Sequence, residues 1–196
     1  MGLRFKNCVN VGAYVRAPEP ASVYRMHAAS NGCYAVKNIS IQNKLVSTNK
    51  MPVGLNRGYG GPQFYYGLER MMDLTARKLN IDTAEIRRKN FIPEDQFPYH
   101  TPAGAIYDSG NYSEALDLLL KLSNYENIKR RRKQARAAGK LFGIGMGAGV
   151  EPSGSNMAYV TLAQTAEERK RAGGRSGGTA VASVTTVSYT HLRAHE

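Results

Sequence analysis

A glycine-dense turn that opens into an amphipathic helix is the strongest constraint that this sequence places on its fold. Residues 53–61 read VGLNRGYGG, and Pro62 follows directly. Proline suits the first turn of a helix because its missing N–H would have no intrahelical partner there. The next residues repeat at helical spacing, so we predict a helix to about residue 79 with Met71 and Met72 in the core. Glu69 and Asp73 are expected to face away from that core.

Strand patterns precede this helix. Residues 3–17 predict a strand with a glycine bend, and residues 34–48 predict a longer strand because β-branched side chains partly alternate there. Further strands are expected after the helical part, over residues 141–150, 157–164 and 179–186. The fold class is therefore α+β, with mixed strands and four helices in the middle of the chain.

The other three helices are predicted from their caps. The second begins at Asp82 or Thr83, where Asp82 and Glu85 suit a capping box, and runs to about residue 90. The third is capped at Asn111 or Ser113 and is expected to bury Ala115, Leu116, Leu119, Leu120 and Leu122. A basic fourth helix begins near residue 125 and ends before a glycine at 139.

Charge and cysteine content limit the functional classes. The chain has 27 Lys+Arg against 15 Asp+Glu, and five consecutive cations occupy residues 129–133. No aromatic residue is interleaved with them to stack on bases, which favours a solvated helix face or an acidic partner. Cys8 and Cys33 lack metal-binding spacing, so we predict no protein metal site. No apolar run approaches the ~18 residues of a membrane span, and a cytoplasmic location is expected.

The loop over residues 56–63 is the most informative candidate site. Its three glycines surround Arg57 and Tyr59, and glycine lets backbone amides approach a ligand closely. The following helix N-terminus adds unpaired N–H groups and a positive dipole end, which suit an anionic group. From the residues alone, a plain strand-to-helix turn remains an equal alternative.

Several motifs, in order, resemble the large molybdenum-binding subunit of the molybdenum hydroxylases, which include xanthine dehydrogenase, aldehyde oxidase and aerobic carbon monoxide dehydrogenase. The motifs are Gly12-Ala13-Tyr14, Thr48-Asn49-Lys50, residues 57–63, residues 85–90 and residues 107–112. The resemblance covers nearly all of residues 9–164. Because such subunits are several times longer, it implies an internal fragment that lacks the glutamate acting as general base and is inactive alone.

The resemblance also implies domain boundaries. Residues 1–110 would be the end of a first molybdopterin-binding domain, and residues 111–186 the start of a second. The last ten residues, VSYTHLRAHE, match a translated sequencing adaptor, so we expect residues 187–196 to be a non-native tail.

Site residues follow from the same resemblance. Next to a molybdenum–molybdopterin cofactor, expected in its cytosine dinucleotide form, would lie Arg57, Gly58, Gly60 and Gln63. Substrate contacts would come from Tyr59, Met146, Gly147, Ala148 and Glu151. No catalytic residue is assigned within the chain.

The substrate would be an aromatic heterocycle or an aldehyde, with an aryl-CoA thioester also open. Members of the family that oxidise carbon monoxide carry a copper-binding cysteine after the loop arginine, and Gly58 stands at that position here. Electrons would pass to a small subunit with iron–sulfur clusters and a medium subunit with FAD. The alternative hypothesis is a standalone basic α+β module that binds nucleic acid or an acidic protein.

Overall fold

The two N-terminal strands form a parallel pair. The computed structural model of the chain describes residues 2–15, 26–54, 56 and 58–150. Strand β1 (Gly2–Gly12) pairs with β2 (Asn38–Ser47), and the register shifts near the end of β1. At that point Gly12 has a φ of +81°, and a Cβ there would lie 2.5 Å from the Met51 carbonyl oxygen. Glycine is therefore required at the predicted bend.

Within the described residues four α-helices follow the strands, which confirms the predicted α+β class. A short antiparallel hairpin separates the first two helices from the last two and is preceded by a 3₁₀ turn at Glu94–Gln96. The elements are α1 (Gly61–Leu79), α2 (Thr83–Asn90), β3 (Tyr99–His100), β4 (Ile106–Tyr107), α3 (Tyr112–Leu122) and α4 (Tyr125–Ala137).

Two helix starts use the side-chain caps expected from sequence. The Asp82 carboxylate accepts a hydrogen bond from the Ala84 N–H at 2.8 Å, and the Asn111 side chain accepts one from the Glu114 N–H at 3.0 Å. Each cap satisfies a backbone donor that has no partner within its helix. Glu85 instead pairs with a lysine one turn along its own helix, at 3.7 Å.

Helix α1 joins two hydrophobic clusters. The larger one contains Leu68, Met72 and Ala76 of α1. It also takes in residues from the chain before β2 and from α2, α3 and α4: Cys33, Tyr34, Val36, Ala84, Ile86, Phe91, Leu116 and Tyr125. The smaller one gathers Met26, Ala29, Phe64, Ile92 and Tyr107. The helix start is thereby fixed between both clusters.

Three expectations for helical faces are wrong. Met71 is 56% exposed whereas Met72 is buried, because neighbouring helical residues point about 100° apart. Glu69, expected outside, is buried. In α3 only Leu116 is buried and Leu120 is half-buried, while Leu119 and Leu122 are exposed, along with Ala115.

Residues 141–150 run extended along the core. Their burial alternates: even positions from Phe142 to Val150 are half-buried, and the glycines at 143, 145, 147 and 149 are exposed. No strand pairs with this segment within the described residues, so the strand expected there is wrong. The strands expected at 157–164 and 179–186, and the tail at 187–196, lie outside the described residues. Across the described part of the chain, no helix is long and apolar enough to cross a membrane.

Candidate functional site

The loop before α1 turns tightly at two glycines. Gly58 has a φ of +75° and Gly60 a φ of +84°. The Tyr59 N–H donates to the Asn56 carbonyl oxygen, and the Gly61 N–H donates to the Gly58 carbonyl oxygen, each at 2.9 Å. Side chains other than glycine rarely adopt such φ values, so these glycines set the path of the loop.

The positive dipole end at the N-terminus of helix α1 is not offset by an acidic side chain in its first turn. Gly60 occupies the cap position, no side chain caps the helix, and its first turn holds no acidic residue. Gln63 is exposed in that turn. The first N–H groups of a helix lack intrahelical partners and carry the positive end of the helix dipole. Here the Gly61 N–H is bonded to the Gly58 carbonyl oxygen and Pro62 has no N–H, so the Gln63 N–H and the dipole end are what this junction offers an anionic group.

Aromatic contacts anchor the first turns of α1. The Phe64 ring meets the His27 ring edge-on at 5.8 Å and the Phe5 ring at 5.1 Å. The Tyr65 hydroxyl donates its proton to the Val150 carbonyl oxygen and lies 3.5 Å from the Ala29 carbonyl oxygen. Burial lowers the pKa of His27, which keeps this imidazole neutral at physiological pH. The start of the helix is thus held by strand β1, the turn before β2 and the extended segment.

Arg87 of helix α2 is fully buried, and it contacts helix α1 one and two turns beyond Tyr65. The Arg87 Nε atom donates to Glu69 at 2.8 Å, and Nη1 donates to Asp73 at 3.0 Å. The Tyr34 hydroxyl donates to the second oxygen of Glu69 at 2.6 Å. Burial by itself would lower the pKa of Arg87, but the charge of Glu69 raises it above its ordinary value. Burial, with nearby Cys33 and Glu69, raises the pKa of Tyr34, so the phenol stays neutral.

The extended segment follows α1 in the opposite direction. Arg87 Nη2 donates to the Met146 carbonyl oxygen at 2.9 Å, and a Cβ on Gly147 would lie 4.0 Å from Glu69. The Val150 contact with Tyr65 lies one turn nearer the helix start. At 1.5 Å per residue, the Tyr65 and Glu69 contacts are about 6 and 12 Å along the axis from the first helical residue.

The structure therefore divides the predicted site residues into two groups. Those in the loop and first turn come together: Gly58, Tyr59, Gly60 and Gln63. Those in the extended segment lie alongside the second and third turns of α1: Met146, Gly147 and Ala148. The side chains of Met146 and Ala148 pack against the core, and Gly147 presents backbone. Arg57 and Glu151 lie outside the described residues.

Sequence reasoning missed the buried network as part of this site. Arg87 follows Ala84 by three residues and so shares its buried helix face, which is the signal that could have identified it. The basic run of α4 meets the extended segment at its start, where the Arg131 guanidinium lies 5.6 Å from the centre of the Phe142 ring. Its first member, Lys129, ion-pairs with Glu126 at 2.6 Å and Asp82 at 3.5 Å, whereas Arg130 and Lys133 are exposed.

Comparisons with known proteins identify the relatives of this chain. Residues 1–91 match the molybdopterin cofactor-binding domain family. The chain is 34% identical over 158 residues to the nicotine 6-hydroxylase large subunit of Paenarthrobacter nicotinovorans, covering 79% of this chain and 19% of that protein. It is 37% identical over 153 residues to the carbon monoxide dehydrogenase large chain of Hydrogenophaga pseudoflava, covering 74% and 19%.

Solved structures with similar folds include two oxidoreductases. Quinoline 2-oxidoreductase from Pseudomonas putida 86 superposes with a TM-score of 0.61 and 31% identity, over 67% of this chain and 17% of that one. A Cu,Mo-CO dehydrogenase superposes with a TM-score of 0.62 and 27% identity, over 69% and 18%. The chain spans about a fifth of the length of the curated relatives it matches.

The match over residues 1–91 and the structural neighbours thus place the chain among molybdopterin cofactor-binding proteins. The relatives identify the enzyme family to which this cofactor-binding protein belongs. The chain belongs to the molybdenum hydroxylase family and corresponds to part of its large, molybdopterin-binding subunit.

Proposed function

We propose that residues 56–63 hold the anionic part of a molybdopterin cofactor in the large subunit of a hydroxylase. Its substrate is an aromatic heterocycle or an aldehyde. One observation carries the proposal: two glycines with positive φ lead directly into an uncapped helix N-terminus. This junction lies within the residues that match the cofactor-binding domain family.

The residues of the loop fit such a group. A Cβ built on Gly58 would meet nothing within 4 Å, so there is open space for a ligand beside the backbone. The Gln63 amide and the Arg57 guanidinium would add hydrogen bonds and positive charge to the helix dipole. When bound, the cofactor supplies hydroxylation of an electron-poor carbon, with oxygen taken from water.

The substrate side would be formed by Tyr59 and the extended segment. Tyr59 is half-buried, and an aromatic face suits a flat heterocycle. The Met146–Ala148 backbone and the Glu151 carboxylate would complete this wall. We assign the general base to none of the residues 1–196, and we propose that the polypeptide binds cofactor but does not turn over alone.

The identity of residue 58 disfavours carbon monoxide as the substrate. Family members that oxidise carbon monoxide carry a copper-binding cysteine after the loop arginine, and glycine has no thiol to bind copper. The relatives named for carbon monoxide oxidation therefore do not define the substrate here. Nicotine and quinoline, named in two other relatives, are both aromatic N-heterocycles and support the heterocycle proposal.

We infer a multi-subunit enzyme from the names of the relatives, which are large subunits or large chains. We assign the partners as an iron–sulfur small subunit and an FAD medium subunit, which accept the electrons in the cytoplasm. The cofactor is assigned as the cytosine dinucleotide form. Residues 1–110 and 111–186 are proposed to belong to the first and second molybdopterin-binding domains.

Cofactor binding by the chain itself tests the proposal. The 196-residue chain would be purified from a host that makes the cofactor, and molybdenum and pterin would be measured per chain. Gly58→Val should lower bound pterin about tenfold or more, because the strained residue displaces the loop. Gly54→Val is the matched control, since Gly54 also has open space and no positive φ. A wild-type chain without pterin, or equal loss in both variants, would refute the proposal.

A further inference from the structure

The extended segment of residues 141–150 packs its even-numbered side chains against the core and accepts hydrogen bonds from side chains of helices α1 and α2. Within the described part of the chain, no backbone–backbone hydrogen bond reaches these ten residues. Two of their carbonyl oxygens accept from buried or half-buried side chains instead. Arg87 donates to Met146, and Tyr65 donates to Val150. Within the described residues, these two hydrogen bonds hold the backbone of the segment, while its apolar side chains pack against the core.

Arg87 is held rigidly enough to define such a path. Its Nε donates to the Glu69 carboxylate, and Nη1 donates to Asp73 and to the Thr83 carbonyl oxygen at 2.9 Å. A guanidinium is planar and presents its N–H groups in a fixed fork. Once two sides of the fork are bound, the direction of the remaining Nη2 donor is fixed as well. That donor meets the Met146 carbonyl oxygen at 2.9 Å.

The contact also orients what the segment presents. Around Met146 the even-numbered side chains pack into the core, while the odd positions are glycine. Without side chains on that face, the backbone itself is the surface available to a ligand. A shift of the Met146 carbonyl group would displace Gly147 and Ala148 directly.

We propose that Arg87 is a positioning residue: it holds the Met146 carbonyl so that the Met146–Gly147–Ala148 backbone keeps a fixed place beside α1. This inference rests on the proposed function, which makes that backbone the substrate-facing wall. The arginine acts through the segment and touches neither cofactor nor substrate. A lysine cannot replace it, because a single ammonium group cannot serve Glu69, Asp73 and Met146 in one plane.

The test uses NMR spectroscopy, with one methionine methyl signal for the extended segment and another for the hydrophobic core. The 196-residue chain would carry ¹³C-methyl methionine, and the Met146 signal would be assigned by its loss in Met146→Leu. Met72, which is buried in α1, reports on the core. In Arg87→Lys, the Met146 signal should move towards its random-coil position while the Met72 signal stays unchanged. Arg88→Lys is the matched control, since Arg88 is the next arginine of the same helix and pairs with Asp117 rather than with the segment, and both signals should remain native.

Two results would overturn the inference. An unchanged Met146 signal in Arg87→Lys shows that the arginine does not position the segment. Equal collapse of both signals shows that it supports the whole fold instead. A semisynthetic ester between residues 146 and 147 decides the matter independently, because it weakens the carbonyl acceptor and leaves Arg87 and its ion pairs intact. This ester should also shift the Met146 signal alone, and a native Met146 signal would refute the proposal.

The substrate role is tested apart from the positioning role. Quinoline added to the cofactor-loaded chain should perturb the Met146 signal in the wild type and at least tenfold less in Arg87→Lys. If Arg87→Lys moves the Met146 signal but quinoline has no effect on the wild type, the substrate assignment fails and the positioning role stands. If quinoline perturbs both proteins equally, positioning has no bearing on the substrate and the inference fails.

Discussion

Tyr34→Phe removes one oxygen atom from the buried network and nothing else. The ring of Tyr34 is fully buried and stacks on Phe91 at 5.7 Å with planes 16° apart, and phenylalanine can keep this contact. The lost hydroxyl donates to Glu69 at 2.6 Å. One carboxylate oxygen of Glu69 therefore loses its donor, and the Glu69 side chain is only 11% exposed to water.

The cost can be estimated from this geometry. A hydrogen bond to a charged group contributes about 1.5–3 kcal/mol, and the loss appears in full when the remaining partner stays buried. With a urea slope of about 2 kcal/mol per M, the unfolding midpoint should fall by roughly 1 M. Urea unfolding followed by circular dichroism measures this shift. Tyr66→Phe is the matched control because Tyr66 is 76% exposed, and its midpoint should not move.

A double-mutant cycle identifies the partner. If the energy lies in the contact with Glu69, then Tyr34→Phe should cost much less in a Glu69→Gln background, because the charged acceptor is already gone. Strict additivity of the two substitutions would refute the assignment. A loss below about 0.5 kcal/mol in Tyr34→Phe itself would refute the estimate of the hydrogen bond.

Three further results are expected. Because burial lowers the pKa of His27 below its ordinary value of 6.5, the unfolded chain binds the proton more readily, and the unfolding free energy should fall as the pH drops from 7.5 to 5.5. His27→Gln should reduce this dependence, and an identical pH profile would contradict the argument. Burial raises the pKa of Cys33 to about 12, whereas Cys8 is exposed. A thiol reagent at pH 8 should therefore label one cysteine rapidly, and Cys8→Ser should abolish the fast phase; a remaining fast phase would show that Cys33 is accessible. Gly12→Ala places a Cβ 2.5 Å from a carbonyl oxygen and should destabilise the fold by at least about 1–3 kcal/mol in urea unfolding, an idea that a change below 0.5 kcal/mol would rule out.

Local signals in the sequence determined the helices and their caps. Pro62 and the glycines before it predict where α1 begins, and Asp82 and Asn111 predict the starts of two others. Each of these signals acts through backbone hydrogen bonds within a few residues of its own position. The bend at Gly12 was also predicted from the sequence. Its cause, the close approach of residue 51, could be seen only in the structure.

Faces of helices were less predictable because partners decide them. Periodicity placed both Met71 and Met72 in the core, but the neighbours of α1 cover only the row that contains Met72. In α3 the leucines suggest a wide buried face, yet only the row of Leu116 meets the rest of the described chain. Sequence spacing reveals which residues share a face, and only packing reveals how much of that face is covered.

The candidate site shows the same division. The sequence by itself determined the glycine loop, its junction with α1 and the family to which the chain belongs, because these depend on local backbone conformation and on motif order. Only the tertiary structure decided that Arg87 and Glu69 are buried together and that Arg87 contacts the Met146 carbonyl oxygen. Residues 87 and 146 are far apart in the chain, and an exposed and a buried arginine are identical in sequence. The difference arises from the packing of α1, α2 and the extended segment, which supplies the carboxylates and carbonyl groups that a buried charge requires.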